Sequence, residues 1–406
     1  MGKTVVEINT SDYGSTGKIM LQIADCGEKC GFSVYTVSRK WKGKQIPKHG
    51  KHLYVGSFLE NGLHHALSGL TGLDGGFTVF GTRRLIRTLR RLKPDVIHLH
   101  NLHSWYINLP MLFRYIKKEN IPVVWTLHDC WAFTGHCPYF DMAECEKWKS
   151  DCRGCSLYRR YPESLTDNAR KMLRKKKEWF GGVKNMTVVT PSEWLAGLVR
   201  QSHLGVYPVR VINNGIDLSV FRPTASDFRA KHGIPEDCCL LLGVAFDWEV
   251  RKGLDVFAEL YRRLDPAQYR IVLVGTDDEA DRKLPDGILS IHRTQNQTEL
   301  AGIYTAADLL VNPTREENYP TVNMEALACG TPVVTFRTGG SPEIPDETCG
   351  SVVPKGDVDA LEREIVRIRT DKPYPPEACL KRAQGFDRNE KFMEYVRLYE
   401  TVNEQK

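Results

Sequence analysis

Two short apolar runs, joined by a polar loop and a helix-like segment, constrain the fold of this chain more than any other feature. The runs cover residues 309–311 and 333–336, and each is long enough for a strand but too short for a helix. Between them, Pro320 disfavours a helical loop, and Thr321 can cap a helix that ends at Gly330. The stretch therefore predicts strand, loop, short helix and strand, which is one βαβ step of a parallel sheet.

Two glutamates in this step indicate what it binds. Glu317 lies in the predicted loop, and Glu325 follows about two helical turns later. The loop and the free N–H groups of the helix should lie at the carboxyl end of the sheet, where open α/β sheets bind ligands and anions are stabilised. Carboxylates beside an anion site can accept hydrogen bonds from hydroxyl groups. A sugar nucleotide fits, because it has hydroxyl groups at both ends and phosphates between them.

The residues around these glutamates carry a family resemblance. Glu317 and Glu325 form the pattern Glu-x7-Glu, followed at once by Ala-Leu-Ala-Cys-Gly-Thr-Pro-Val-Val and then by Gly-Gly-Ser-Pro-Glu at residues 339–343. This pattern closely resembles family 4 retaining glycosyltransferases of the GT-B fold. The resemblance implies an α/β protein with two Rossmann-like doubly wound domains facing across a cleft, Glu317 against the donor sugar and Glu325 on the ribose. A capped amphipathic helix with solvated glutamates is the alternative interpretation.

The length of 406 residues exceeds what one hydrophobic core usually serves, so the chain should form two domains. An Asn-Gly-Ile-Asp segment that starts at Asn214 resembles the family's crossing between domains, which puts the hinge near residues 207–216. We predict three parts: an N-terminal acceptor-side domain at 1–208 with a cysteine-rich insertion at 130–165, a nucleotide-sugar donor domain at 209–385, and a helix at 386–406 that crosses back to the first domain.

The second domain holds further donor-binding candidates, all implied by the resemblance. Lys252, which precedes a glycine, matches a cation that binds the diphosphate, whereas Asp247 stands where the family usually has an arginine. Because one hydrogen bond to a charged group contributes about 1.5–3 kcal/mol, a replacement such as Arg251 is expected. In the family, the loop that corresponds to Arg293 and Thr294 holds the nucleotide base. Tyr319, Thr321 and Val322, around the start of the helix, complete the predicted donor site.

A polar turn and two strand ends provide the candidates in the first domain. In the family, the glycine loop that corresponds to Gly14 and Gly17 lies near the phosphates and the acceptor, although a simple tight turn is the alternative. His100 and His128 follow consecutive predicted strands, whose ends should open into one crevice. The resemblance matches His128 to a histidine that meets the donor sugar, and His100 or His103 is a further candidate for ligand contact.

Two stretches of this domain are predicted as irregular or turn-like. Residues 9–18 read as a flexible turn before a helix at residues 19–30. Residues 61–81 show little periodicity, and we predict a mobile loop that borders the acceptor site.

Catalysis should need no cofactor. The only Asp-x-Asp that we find, Asp357-Val-Asp359, lies at a predicted helix start far from the donor strand, so no catalytic divalent metal is indicated. Cations should stabilise the leaving diphosphate instead, and Lys252, Arg251 and the helix N-terminus at Thr321 suit that role. The predicted catalytic residues are His128, Glu317 and Lys252.

Five of the twelve cysteines crowd between Cys130 and Cys155. Two of them form a Cys-x2-Cys pair, which can grip one zinc ion when two more thiolates join it. The predicted ligands of a structural zinc ion are Cys137, Cys145, Cys152 and Cys155. His136 could replace one sulfur, an Fe–S cluster would use the same thiolates, and four reduced thiols in a partly buried loop are the remaining alternative.

Charge and hydropathy predict where in the cell the protein acts. The net charge is +6, and residues 83–93 and 170–177 form basic segments with helical spacing. They are either solvated helix faces or a surface for anionic lipid or a pyrophosphate-linked acceptor. No apolar run reaches membrane-spanning length and no signal peptide precedes the first strand, so we expect a cytoplasmic protein with peripheral contact at the inner face of the membrane.

The combined prediction is a retaining hexosyltransferase that uses a nucleoside-diphosphate sugar and a glycan or lipid-linked acceptor in surface or extracellular polysaccharide synthesis. No nucleic-acid partner is expected. The alternatives are a GT-B-fold sugar-nucleotide epimerase and a noncatalytic partner that binds sugar nucleotides.

Overall fold

A computed structural model of the protein describes residues 2–40 and 50–404. The chain divides into two compact units. Unit 1 comprises Met1–Asn213 with Lys391–Lys406, and unit 2 comprises Asn214–Glu390. The chain thus changes unit after residues 213 and 390, where the sequence predicted 208 and 385.

Unit 1 contains a seven-stranded parallel sheet. Its strands are β1 (Thr4–Ile8), β2 (Ser33–Arg39), β3 (His52–Val55), β4 (Val96–Leu99), β5 (Val123–Thr126), β6 (Met186–Thr190) and β7 (Val209–Val211). The strand order is β3-β2-β1-β4-β5-β6-β7, so the winding reverses between β1 and β4. Both faces are covered, which explains why the central strands are almost continuously apolar. In such sheets, ligands bind at the carboxyl ends of the strands beside this reversal.

The helices of unit 1 correct two predictions. Those before the chain enters unit 2 are α1 (Gly14–Lys29), α2 (Phe58–Thr71), α3 (Val79–Leu92), α4 (Leu109–Glu119), α5 (Ala169–Phe180) and α6 (Glu193–Arg200). The predicted mobile loop at 61–81 is wrong, because α2 and the start of α3 occupy most of it. Ser57 accepts a hydrogen bond from the Glu60 N–H at the start of α2, and Gly72 ends the helix at φ 65°. The first helix starts at Gly14, earlier than residue 19.

Unit 2 contains a six-stranded parallel sheet. Its strands are β8 (Cys239–Val244), β9 (Tyr269–Val274), β10 (Leu289–Ile291), β11 (Leu309–Asn312), β12 (Val333–Phe336) and β13 (Gly350–Val353). The order is β10-β9-β8-β11-β12-β13, with the reversal between β8 and β11. The prediction of two doubly wound α/β domains is confirmed.

Seven helices follow these strands or precede them in unit 2, and one more closes the described chain. They are α7 (Phe228–Lys231), α8 (Leu254–Arg263), α9 (Asp278–Asp281), α10 (Gln297–Ala306), α11 (Thr321–Ala328), α12 (Val358–Asp371), α13 (Pro376–Ala383) and α14 (Arg388–Glu404). No helix in the described part of the chain is both long enough and apolar enough to cross a membrane.

The predicted βαβ step is present as β11, α11 and β12. Leu310 pairs with Val333 in parallel register. The predicted cap is wrong, because Pro320 occupies the N-cap position without a side-chain hydrogen bond and Thr321 is the first helical residue. The helix ends at Ala328, and Gly330 follows with φ 85°.

Helix α14 completes the core of unit 1. Phe392, Tyr395 and Tyr399 are at most 2% exposed and pack in one cluster with Val5 and Val96 of the sheet. The opposite face of the sheet is covered by a second cluster that includes Phe113, Trp125 and the aromatic residues of the cysteine-rich segment. The last helix is therefore a structural part of unit 1.

Candidate functional site

Lys252 and Glu317 form an ion pair at the carboxyl edge of the unit 2 sheet. Lys252 ends a short 3₁₀ turn after β8, and Glu317 lies between β11 and α11. Gly253 turns the chain at φ 82°, where a Cβ atom would approach the Pro313 carbonyl oxygen to 2.6 Å. Only a glycine lets this turn pack against the loop of Glu317, which explains why the sequence has Lys-Gly here.

The charge of Glu317 is set by its surroundings. Burial alone would raise the pKa of the Glu317 carboxyl. Lys252, the Asn318 N–H and Arg251 together outweigh burial, so the pKa lies below its usual value. The carboxylate Oε1 also accepts a hydrogen bond of 3.0 Å from the Asn318 N–H. Glu317 is therefore ionised at neutral pH and can accept hydrogen bonds from hydroxyl groups.

The Gly-Gly pair after β12 fixes the loop of Glu317. Gly339 has φ 55°, and any Cβ atom there would clash with the Glu317 carbonyl oxygen. The Gly340 N–H donates a 2.8 Å hydrogen bond to the Asn318 carbonyl. Gly339 and Gly340 thus hold the loop of Glu317 through close backbone contact.

Arg251 lies against the same loop. Its guanidinium Nη1 donates a 3.4 Å hydrogen bond to the Glu316 carbonyl, and its own carbonyl accepts from the Arg315 N–H at 2.8 Å. The structure therefore brings Arg251, Lys252 and Glu317 together. Asp247, which stands in place of the family's arginine, is exposed.

Glu325 is held from α10. The Tyr304 hydroxyl, which is buried, donates a 3.0 Å hydrogen bond to Glu325 Oε2. Asn323 lies two residues before Glu325 on α11. Its side chain accepts a 2.8 Å hydrogen bond from Asn312 and donates a 2.9 Å hydrogen bond to Ser341. Sequence reasoning missed Tyr304, Asn323 and Ser341, because only the fold brings their hydroxyl and amide groups to α11.

The other predicted donor residues take different positions. Thr321 and Val322 are half-buried in the first turn of α11. Tyr319 is 5% exposed and belongs to the apolar core of unit 2, so packing accounts for it. Arg293 and Thr294 follow β10, three strands along the same carboxyl edge from β11.

In unit 1, the buried His98 and His100 and the half-buried His128 lie together at the carboxyl edge of β4 and β5. His100 Nδ1 lies 3.1 Å from His128 Nε2, with the rings stacked at 9°. His100 Nε2 faces Glu7 Oε2 at 3.5 Å, and the other Glu7 oxygen accepts a 3.2 Å hydrogen bond from the Tyr399 hydroxyl. The predicted strand-end pair therefore meets, and Glu7 in the middle of β1 was missed because nothing in its sequence context marks it.

These histidines are neutral near pH 7. Burial lowers the pKa of His98 and His100 well below the usual value, and burial lowers that of His128 to about 4. Burial also raises the pKa of Glu7 well above its usual value. His128 can therefore donate or accept a hydrogen bond but does not supply positive charge.

Two hydrogen bonds hold the ring of His98. Its Nδ1 lies 2.6 Å from the Tyr399 hydroxyl, and its Nε2 lies 2.8 Å from the Thr126 hydroxyl. Glu7, His98 and His100 are close enough to hold a metal ion. Because both nitrogens of His98 already have partners, we describe the group as a hydrogen-bond network.

The remaining predicted residues of unit 1 lie in loops at this edge. His103 Nε2 pairs with Asp129 Oδ2 at 2.9 Å, next in sequence to His128. Gly17 lies inside α1, where a Cβ atom would come within 2.6 Å of the Asp12 carbonyl carbon, whereas Gly14 has open space and φ 71°. Gly17 is thus required for packing of the loop.

The cysteine-rich segment contains no disulfide, since all twelve cysteines are free thiols. Cys137 and Cys152 are each 8% exposed, and Cys145 and Cys155 are half-buried against the same cluster. His136 is engaged elsewhere, with Nε2 3.2 Å from the Arg160 carbonyl.

Two sequence models of protein families match the chain. The model described as Glycosyltransferase Family 4 matches residues 17–220. The model described as Glycosyl transferases group 1 matches residues 239–371. The first match covers most of unit 1, and the second covers the parallel sheet of unit 2.

Individual proteins are similar over most of the chain. WcaC of Escherichia coli, assigned to colanic acid biosynthesis as a glycosyl transferase, is 27% identical over 291 residues, which are 69% of each protein. Sucrose-phosphate synthase of Thermosynechococcus elongatus superposes with a TM-score of 0.74 at 18% identity and covers 100% of both chains. Anabaena HepE in complex with UDP-glucose superposes with a TM-score of 0.64 at 15% identity, over 97% of this chain and 99% of HepE. These likenesses confirm the predicted GT-B fold.

Proposed function

This chain belongs to glycosyltransferase family 4, and we propose that it transfers a hexosyl group from a nucleoside-diphosphate sugar to a glycan acceptor with retention of anomeric configuration. The ion pair of Lys252 and Glu317 carries the proposal. A departing nucleoside diphosphate needs positive charge, and Lys252, Arg251 and the N-terminus of α11 supply it at one edge of one sheet.

Glu317 and Glu325 suit the two ends of such a donor. Because Glu317 is ionised, it is a poor proton donor and a good acceptor for sugar hydroxyl groups. Glu325, oriented by Tyr304, lies two helical turns away and suits the ribose hydroxyl groups. A neutral His128 suits a hydrogen bond to a sugar hydroxyl. The solved complex of HepE with UDP-glucose supports a nucleotide sugar as the donor class.

The acceptor is proposed to be a lipid-linked glycan in surface or extracellular polysaccharide synthesis. The similarity to WcaC supports the polysaccharide. Exposed side chains of unit 1 support the lipid: Leu59 and Leu63 of α2 are 87% and 60% exposed, and Phe80 of α3 is 73% exposed. Beside Phe80, α3 exposes Arg83 and Arg87. Apolar and basic side chains together bind an anionic membrane surface, which would keep the enzyme peripheral at the cytoplasmic face.

The test begins with donors. Thermal unfolding with UDP, ADP and GDP identifies the nucleotide, because a ligand at 100 times its Kd stabilises the folded protein by about 2.7 kcal/mol. The corresponding sugar nucleotides are then incubated with a lipid-pyrophosphate glycan in EDTA. We expect release of the nucleoside diphosphate and a product whose anomeric configuration, read by NMR, equals that of the donor.

Three outcomes would contradict the proposal. Binding without transfer or hydrolysis would favour a noncatalytic partner. A changed sugar in the recovered nucleotide would favour an epimerase. Activity that is lost in EDTA and returns with magnesium or manganese would show that cations of the protein do not suffice.

A further inference from the structure

The segment between β5 and α5 is large, irregular and well packed. Over residues 127–168 its only regular element is a 3₁₀ turn at Lys147–Lys149. Even so, Trp131, Phe133, Phe140 and Trp148 are at most 6% exposed in the core of unit 1. Long segments without regular structure are uncommon in compact domains unless something holds them.

Four thiols of this segment share one packed region. Cys137 and Cys152 are buried, and Cys145 and Cys155 pack against the same cluster. Burial is the main cause that raises the pKa of Cys137 to about 12, and the other three thiols act in the same direction. The four thiols are therefore neighbours in unit 1.

A backbone N–H group points at one of the sulfur atoms. The Gly135 N–H donates a hydrogen bond to Cys152 Sγ at 3.3 Å. Between Cys152 and Cys155 the chain makes a tight turn, with φ 50° at Cys152 and φ 62° at Gly154. A hydrogen bond of this kind favours the thiolate form, which is the form that binds metals.

A buried lysine lies beside the thiols. Lys176 is 0% exposed, and its Nζ donates to the carbonyls of Trp131 at 2.6 Å and Thr134 at 3.0 Å. Burial lowers the pKa of Lys176, and the neighbouring Asp74, Cys137 and Cys152 act in the opposite direction. Asp74 already pairs with His64 at 3.4 Å. Thiolates at Cys137 and Cys152 would therefore add negative charge that favours the protonated form of Lys176.

We propose that Cys137, Cys145, Cys152 and Cys155 bind one structural zinc ion, with Lys176 as the counter-ion of the site. Four thiolates around Zn²⁺ leave two excess negative charges, which a buried cation offsets. Thiolate sulfur selects zinc over magnesium or calcium. The ion closes the irregular segment onto the end of β5 and onto α5.

Binding requires the sulfur atoms to draw together. Around one zinc ion with Zn–S bonds of about 2.3 Å, neighbouring sulfurs lie about 3.8 Å apart. Across residues 2–40 and 50–404, only Glu7, His98 and His100 form a group of three possible ligands within 4.8 Å. The cysteine side chains must therefore turn towards a common centre when the ion binds.

The first test is metal content. The full chain, purified without chelator or added metal, should contain one equivalent of zinc by elemental analysis. The double variant C152S/C155S should contain none. C26S/C30S, which changes a cysteine of α1 and the residue directly after this helix, should keep the parental content. Reconstitution of the zinc-depleted parent with Co²⁺ should give the strong visible bands of tetrahedral thiolate coordination.

The second test needs no variant of the ligands. Native protein should resist thiol reagents at four cysteines that become reactive when a chelator removes the metal. K176M should release zinc to the chelator several-fold faster than the parent. Four thiols that react freely in folded, metal-free protein with the parental melting temperature would overturn the proposal. Bound iron with visible absorption would also overturn it, in favour of an Fe–S cluster.

Discussion

The carboxyl edges of the two parallel sheets carry polar side chains of opposite character. In unit 2, Lys252 and Glu317 form an ion pair whose side chains are 21% and 17% exposed. In unit 1, His98 and His100 are buried, and burial lowers the pKa of both rings so far that they are uncharged at neutral pH. One edge keeps charge within reach of solvent, and the other keeps uncharged polar groups out of water.

This difference suits two kinds of contact. A phosphate can replace Glu317 as the partner of Lys252, because both are anions and the ammonium is partly accessible. The buried histidines cannot gain charge without a large penalty. Their ring nitrogens face one another and neighbouring side chains. Half-buried His128, at the end of this chain of rings, is the one that we propose for a hydrogen bond to a sugar hydroxyl.

The largest effect should follow from removing the charge of Lys252. K252M leaves a bound diphosphate without its nearest cation, so sugar transfer at saturating donor should slow about 10²- to 10³-fold, as when one donor to a developing oxyanion is lost. Lys283 is a matched control in unit 2, since it follows α9 and forms an exposed ion pair with Glu279 at 2.7 Å. K283M should transfer at the parental rate. Equal rates for K252M and the parent would make the charged edge an ordinary surface ion pair.

A smaller effect, on nucleotide affinity, should separate the two glutamates. Glu325→Ala should bind the bare nucleoside diphosphate about 10- to 100-fold more weakly, since a hydrogen bond to a charged group contributes about 1.5–3 kcal/mol. Glu317→Gln should bind it normally and lose transfer. Tyr304→Phe, which removes only the hydrogen bond to Glu325, should fall between Glu325→Ala and the parent. Calorimetry that finds parental affinity in both glutamate variants would contradict the assignment.

Acid should act on the two units differently. Burial lowers the pKa of His128 to about 4 in the folded protein. As the pH falls from about 6.5 to 4, the unfolded chain therefore binds a proton at His128 more readily than the folded chain does. Acidification should lower the free energy of unfolding through this residue by at most about 3 kcal/mol, whereas above pH 6.5 there is no such loss. His98 and His100 act in the same direction, and Glu7, whose pKa is raised by burial, opposes them.

In unit 2, His292 makes stability change with pH in the opposite direction, because its hydrogen bond to Asp281 raises the pKa of the ring. Hydrogen exchange between pH 7 and pH 5, corrected for the intrinsic exchange rate, should therefore show loss of protection in β4 and β5 before β8 and β11. Simultaneous loss in both sheets would mean that the histidine chain does not control the stability of unit 1.

The smallest effect concerns membranes. The double variant R83E/R87E should lower sedimentation of the protein with anionic vesicles at low salt, and added salt should lower it for the parent too, because charges are screened over about 8–10 Å. The matched variant R363E/R367E changes two exposed arginines at the same spacing on α12 of unit 2. It should sediment like the parent. No sedimentation of the parent at low salt would leave α3 as a solvated helix face.

The comparison also explains what sequence could predict. The charged edge of unit 2 could be predicted because Glu317 and Glu325 lie in one short stretch of sequence and Lys252 lies in one loop. The histidine chain could be predicted only in part. His100 and His128 mark strand ends, but Glu7 reaches His100 from the first strand. Tyr399 bonds Glu7 and His98 from 392 and 301 residues away in the sequence.

Two errors have a shared cause. Helix α2 was missed because Leu59 and Leu63 point to solvent and remove the expected periodicity. Lys176 was predicted on an exposed basic face, either solvated or in contact with lipid or acceptor. It is buried instead, because the cysteine-rich segment covers that side of α5. Which side of a helix is covered depends on distant chain segments, and periodicity within one sequence does not reveal them.

The position of α14 has a consequence for synthesis of the protein. Unit 2 is continuous in sequence, so it can fold once residues 214–390 have left the ribosome. Unit 1 begins first but lacks Phe392, Tyr395 and Tyr399, which cover Val5 and Val96, until those residues are made. The domain that is translated first must therefore finish folding last, and chaperones have the longest access to its apolar sheet face.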